Sequence, residues 1–177
     1  MGKKTQPSPF ILFFIFIALL FISVVLHELS HAVAAIIFGV NPAELKFGWY
    51  ILGPGVTVPD TFPLEDLVHF RYAGGAGAGI LLLIGYITYI LKCRAAIKAQ
   101  GLLSTNWWVG GIILFWSIFQ FYNGYIESMR FDDYVTGSIN YIIPFILLLL
   151  LTSAIHFSIY YIITKRNRSF RIREAND

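Results

Sequence analysis

Residues 10 to 26, FILFFIFIALLFISVVL, carry no charge and one polar side chain, Ser23. Continued to Phe38, the run is long enough to cross hydrocarbon, which takes about 20 apolar residues per helix. Backbone inside a bilayer has no water to bond to, so such a segment is confined to a helix. Three further stretches, Tyr72 to Leu91, Trp107 to Ile126 and Ile139 to Ile163, contain no Asp, Glu, Lys or Arg. The expected fold is therefore an all-α polytopic membrane protein. It has about four transmembrane helices, at residues 10–38, 72–91, 107–126 and 139–163. Pro144 is expected to kink the fourth span, and Trp107 and Trp108 to sit in an interfacial aromatic belt.

Composition agrees. The chain is 57% hydrophobic and 13% charged, with a mean hydropathy of +0.69, where soluble domains are about half apolar and a quarter charged. The 177 residues suit one membrane-embedded unit, 1–177, without a separate soluble domain. Cys93 is the single cysteine, which excludes an intrachain disulfide and a cysteine-rich metal site. Lys3 and Lys4 before an apolar run look like a signal peptide. The run continues without a clear cleavage site, so it reads as a retained span.

Four spans put both termini on one side. Ten basic residues fall there (Lys3, Lys4, Lys92, Arg94, Lys98, Lys165, Arg166, Arg168, Arg171, Arg173) and three on the other (Lys46, Arg71, Arg130). The bias places both termini, with the basic tail 164–177, in the cytoplasm. Basic residues next to a span are expected to face anionic lipid, and no nucleic-acid partner is expected. Between the first two spans, Asn41-Pro42 is expected to stop the first helix. LKFGWYILGPGVTV, residues 45–58, reads as a β-hairpin with Gly53-Pro54-Gly55 at its turn.

VVLHELSHAVAAI, residues 24–36, carries chemistry into the first span. Residues four apart on a helix share a face, so His27 and His31 lie one turn apart. Two imidazoles so placed can hold one zinc ion at about 2.1 Å. Glu28, beside them, is positioned to act as a general base while the metal polarises a carbonyl. A histidine on an apolar helix face is usually just packed there. A charged residue at mid-span, however, costs about 2.5 kcal/mol or more, which favours a functional reading. Zinc needs a third protein ligand and an open position. His69, His156, Asp132 and Asp133 are the candidates, the two aspartates following the third span on the side where the first span ends.

Together these residues resemble the site-2 protease family of intramembrane zinc metallopeptidases. His27-Glu28-Leu29-Ser30-His31, followed by Gly39, is similar to the family's first motif. YAGGAGAG, residues 72–79, resembles the Gly-rich start of its next helix. Asn123 to Asp133 falls where the family has an Asn-x-x-Pro…Asp-Gly motif. The resemblance covers roughly residues 20–140. It implies a minimal metallopeptidase core with Zn2+ as cofactor and a transmembrane or membrane-associated protein as substrate. His27 and His31 would be ligands, Glu28 the base, Asp133 or else Asp132 the third ligand, and Asn123 a contact to substrate backbone or oxyanion. The chain departs from the pattern in lacking the prolines after Asn123 and in having Tyr134 where the family has glycine. The Asn-to-Asp spacing is also slightly long. Family members generally hold their metal nearer the cytoplasmic face, whereas the charge count puts it nearer the opposite one. Two rival readings are a catalytically inactive scaffold that keeps the fold, and an ion transporter. The transporter would call for more ionisable residues than the second and third spans contain.

Residues 72–79 also hold a small-xxx-small pair, Gly75 and Gly79, expected to bring helices close together. The hairpin could hold an unwound substrate strand by β-addition.

Overall fold

A computed structural model of the chain describes residues 8–50, 53–63, 66–128 and 142–165. Four helices account for most of them: α1 (Pro9–Ile37), α2 (Leu67–Gln100), α3 (Thr105–Ser128) and α4 (Ile142–Lys165). Each is long and apolar enough to cross a membrane. A two-stranded antiparallel hairpin, β1 (Lys46–Tyr50) and β2 (Gly53–Thr57), follows α1. The protein is thus an all-helical membrane protein with one small hairpin.

The ends of α1 are set by local chemistry. Pro9 occupies the first turn, where its missing N–H is no loss. At the other end Gly39 has φ +91°, and the amides of Gly39 and Val40 bond the carbonyls of Ile36 and Ala35. This pattern is a Schellman motif, which needs a left-handed residue. The helix therefore stops at a glycine before it reaches Asn41-Pro42. Asn41 instead caps the short 3-10 turn Pro42–Glu44, its side chain accepting from the Ala43 amide.

Two expectations are corrected. Gly53, Pro54 and Gly55 lie within β2, paired with Tyr50, Trp49 and Gly48, and do not form the turn. Proline is tolerated there because its pair is one whose amides point out of the ladder. Trp107 is 1% exposed and stacked on His156 between the helices, which leaves Trp108, half exposed, as the one of the pair available to a belt. α2 also runs past its apolar stretch at both ends, through Arg71 and through Lys92 to Lys98, since long basic side chains can reach water from a helix that began in lipid.

α2 and α3 form the central antiparallel pair, with α1 laid across both and α4 against α3. The glycines of the YAGGAGAG stretch serve two faces. A Cβ at Gly74 or Gly77 would overlap His31 or Ser30 of α1. One at Gly75 or Gly79 would meet Gln120 and Gly124, or Phe121, of α3. Three buried clusters follow: Ala34, Ala35, Val40, Phe62 and Phe70 where α1 ends, Leu82, Phe115 and Trp116 at mid-height, and Tyr86, Ile90, Ile97, Trp107, Leu114 and Ile163 at the far end. The outer faces remain apolar and exposed, for example Phe10 and Phe14 of α1 and Leu147 and Leu150 of α4, as lipid contact requires.

Backbone-to-backbone packing predicts a contrast. Gly75→Val should cost about 3 kcal/mol or more, because the neighbouring α3 backbone cannot retreat. Gly85, where an added Cβ would meet nothing within 4 Å, should accept alanine with a gain of about 0.5–1 kcal/mol. Reversible unfolding in mixed detergent micelles measures both.

Candidate metal centre

The buried side of α1 repeats every four residues, at Ser23, His27, His31 and Ala35, and Phe21, Val25, Leu29 and Val33 form its exposed side. His27 and His31 are 4% and 7% exposed. Their Nε2 atoms lie 3.0 Å apart. Sequence spacing alone places them on one face; the neighbouring helices decide how the rings point.

His31 Nδ1 lies 2.8 Å from the Phe70 carbonyl of α2. A carbonyl can only accept, so Nδ1–H donates and Nε2 presents a lone pair. His27 Nδ1 donates to Gln120 Oε1 of α3 at 2.8 Å, which gives the second ring the same tautomer on the assigned amide orientation. Both lone pairs face the Glu127 carboxylate: its Oε2 is 3.0 Å from His27 Nε2 and 3.4 Å from His31 Nε2. Glu127 Oε1 accepts from Asn123 Nδ2 at 2.9 Å, one helical turn back. Three acceptors therefore converge in a buried site. Such a group is unfavourable unless a cation, a proton or a metal ion, lies among them.

The donor set can be tested against zinc. Tetrahedral ligands at about 2.1 Å sit about 3.4 Å from one another. The separations here, 3.0, 3.0 and 3.4 Å, need only a few tenths of an ångström of expansion. Two histidines with a carboxylate leave a fourth position open, and each imidazole has its second nitrogen anchored, as metal-bound histidines do. Gly74 completes the pocket, since a side chain there would occupy the space of the His31 ring.

Glu28 is not one of the three converging groups. Its Oε2 accepts from the Val56 amide of β2 at 2.9 Å, and the side chain is only partly buried. The site lies near one end of the bundle: His31 is six residues before the last residue of α1, or about 9 Å along the helix. Glu127 is 30% exposed, so the centre is not sealed from water.

Asp132 and Asp133 lie outside the described residues. His69 is exposed at the start of α2. His156 is committed elsewhere: Nε2–H donates to the Trp107 carbonyl at 2.9 Å, and Nδ1 accepts from the Tyr86 hydroxyl at 3.0 Å. It is a fully satisfied packing residue, and neither of these two histidines joins His27 and His31. Asn123 approaches the centre through Glu127.

Glu127 and Gln120 are the site residues that sequence reasoning missed. The third span was expected to end at Ile126, one residue short of Glu127, whereas α3 continues to Ser128. A signal was present: Gln120, Asn123 and Glu127 are polar residues at one-face helical spacing in an otherwise apolar segment.

No family model, curated protein or solved structure matches the chain.

The anchored tautomers carry a prediction. Gln120→Leu should weaken zinc binding by about 10–100-fold, and Glu127→Gln by at least that much. Competitive titration of detergent-purified protein against a chromogenic chelator measures this.

Proposed function

We propose that the protein is a zinc-dependent intramembrane endopeptidase that hydrolyses peptide bonds of transmembrane or membrane-associated substrates. The observation that carries this reading is the convergence of His27, His31 and Glu127 on one point, the two histidines belonging to a motif whose second residue is Glu28. Glu127 is proposed as the third ligand, in place of an aspartate farther along the chain. The altered spacing after Asn123 fits this: the carboxylate comes four residues after the asparagine, still on the helix, and the asparagine holds it.

A zinc ion bound there would polarise the substrate carbonyl and make water more acidic. The side chains supply the rest. Glu28 takes the proton from the attacking water and passes it to the departing amine nitrogen, as one group acting first as base and then as acid. Gln120 and the Phe70 carbonyl hold the imidazoles in the tautomer that leaves Nε2 free. Asn123 keeps Glu127 turned inward.

A transmembrane substrate arrives with its scissile carbonyl bonded inside a helix, so it must be unwound before it can react. The hairpin is proposed to hold the unwound strand. Val56 sends its amide to Glu28 and away from β1. By alternation, Val56–Phe47 and Pro54–Trp49 are pairs outside the ladder. The amides of Phe47 and Trp49 then point off the outer edge of β1. That edge lies away from α1, against which β2 packs, and a substrate strand could be added to it. The chain is proposed to cross the bilayer four times with both termini in the cytoplasm, following the bias of ten basic residues against three.

Two outcomes are expected. Glu28→Gln should reduce cleavage of fluorescein-labelled casein in detergent micelles by at least about 10³-fold, with zinc content unchanged at one per chain. A metal-bound but inactive scaffold would give no cleavage even for the wild type. Phe47→Pro and Trp49→Pro should lower cleavage of a membrane-embedded substrate about tenfold while leaving zinc content intact, because they remove outward amides and spare the ladder. Unchanged turnover in both would remove the edge from the mechanism.

A further inference from the structure

A carboxylate expected to move protons is seldom left to swing freely. We infer that the backbone amide of Val56 is a positioning group for Glu28, so that the hairpin is part of the catalytic apparatus as well as a surface for substrate. This inference rests on the endopeptidase reading for its consequence and on geometry for its substance.

The contact is a 2.9 Å hydrogen bond from Val56 N–H to Glu28 Oε2. It is available because of register. Val56 pairs with Phe47 at a position where the amide leaves the ladder, and the next such position along β2 is Pro54, which has no N–H. Of the outward positions 54 and 56, Val56 alone has a donor. It faces α1 because β2 is the strand that packs on α1. A short segment ties the two together: α1 ends at its glycine motif, the Asn41-capped turn follows, and β1 starts at Lys46.

The physical effect is selective. Glutamate loses rotamer freedom when it is fixed, and a partner that fixes it beforehand removes this cost from the barrier. One carboxylate oxygen is held by the amide, and the other, with no hydrogen-bond partner among the described residues, is the one to take a proton. A general base has to lie within about 2.6–3.2 Å of the proton it accepts, and a misplacement of about 1 Å can reduce the rate about 100-fold. His27 and His31 are anchored by Gln120 and Phe70, not by the hairpin, so removing the Val56 amide should leave metal binding alone.

Val56→Pro tests this, because it deletes a donor that the β1–β2 ladder does not use. Expected are a 10–100-fold fall in kcat on fluorescein-labelled casein, a KM within twofold of wild type and one zinc per chain. Val56→Ala, which restores the amide without the side chain, should recover the turnover. A second arm is independent of activity. In protein labelled with 15N-valine, hydrogen exchange at the Val56 amide should quicken at least tenfold in Glu28→Ala and stay slow in Glu28→Gln, whose carbonyl oxygen can still accept. If exchange at Val56 is the same in wild type and Glu28→Ala, or if Val56→Pro keeps the wild-type kcat, the inference is overturned. If the wild type cleaves nothing, the endopeptidase reading fails, and the exchange arm still decides whether the tether exists.

Discussion

Three electron-pair donors, from the buried His27 and His31 and the partly buried Glu127, meet between the helices near one end of an apolar bundle, and much of the structure serves that meeting. In water such a group would be solvated and its arrangement would matter little. Among helices whose outer faces are leucine, isoleucine and phenylalanine, each donor needs a partner. The second nitrogen of each imidazole is met by an acceptor on another helix. The second oxygen of Glu127 is met by Asn123. Among the described residues, what is left unmet points inward, toward the place a cation would take.

Bringing the donors together demands unusually close helices, and glycine makes that possible. Gly74 leaves room for the His31 ring, and Gly75 faces Gly124 so that the α2 and α3 backbones touch. In lipid there is little hydrophobic drive between helices, so contact area and hydrogen bonds must hold them. The Gly-rich stretch is therefore a packing device and a site device at once. The hairpin is tied to α1 through Glu28, near the end of the bundle where the centre lies. Under the proposed reading, metal, base and substrate edge all gather at that end.

Much of this was legible in the sequence. Uncharged runs of about 20 residues admit little except helices in a membrane, and the four helices lie where those runs lie. His27 and His31 share a face because a helix makes any pair four apart share one. The hairpin was legible as well, though its turn was not. Gly53-Pro54-Gly55 has the composition of a turn, yet the pairing with Gly48 to Tyr50 puts it in a strand. Composition reports what a residue tolerates; register depends on a partner strand.

The partners of the histidines were decided at longer range. Gln120, Glu127 and Phe70 are 93, 100 and 39 residues from the groups they meet, and nothing in local spacing links them. The sequence alone determined the solvent this chain requires, the number of helices and the face of α1 that carries chemistry, because these follow from hydrophobicity and helical period. Only the tertiary structure decided which carboxylate joins the histidines, which tautomer they adopt and what holds Glu28, because those depend on how close one helix can come to another.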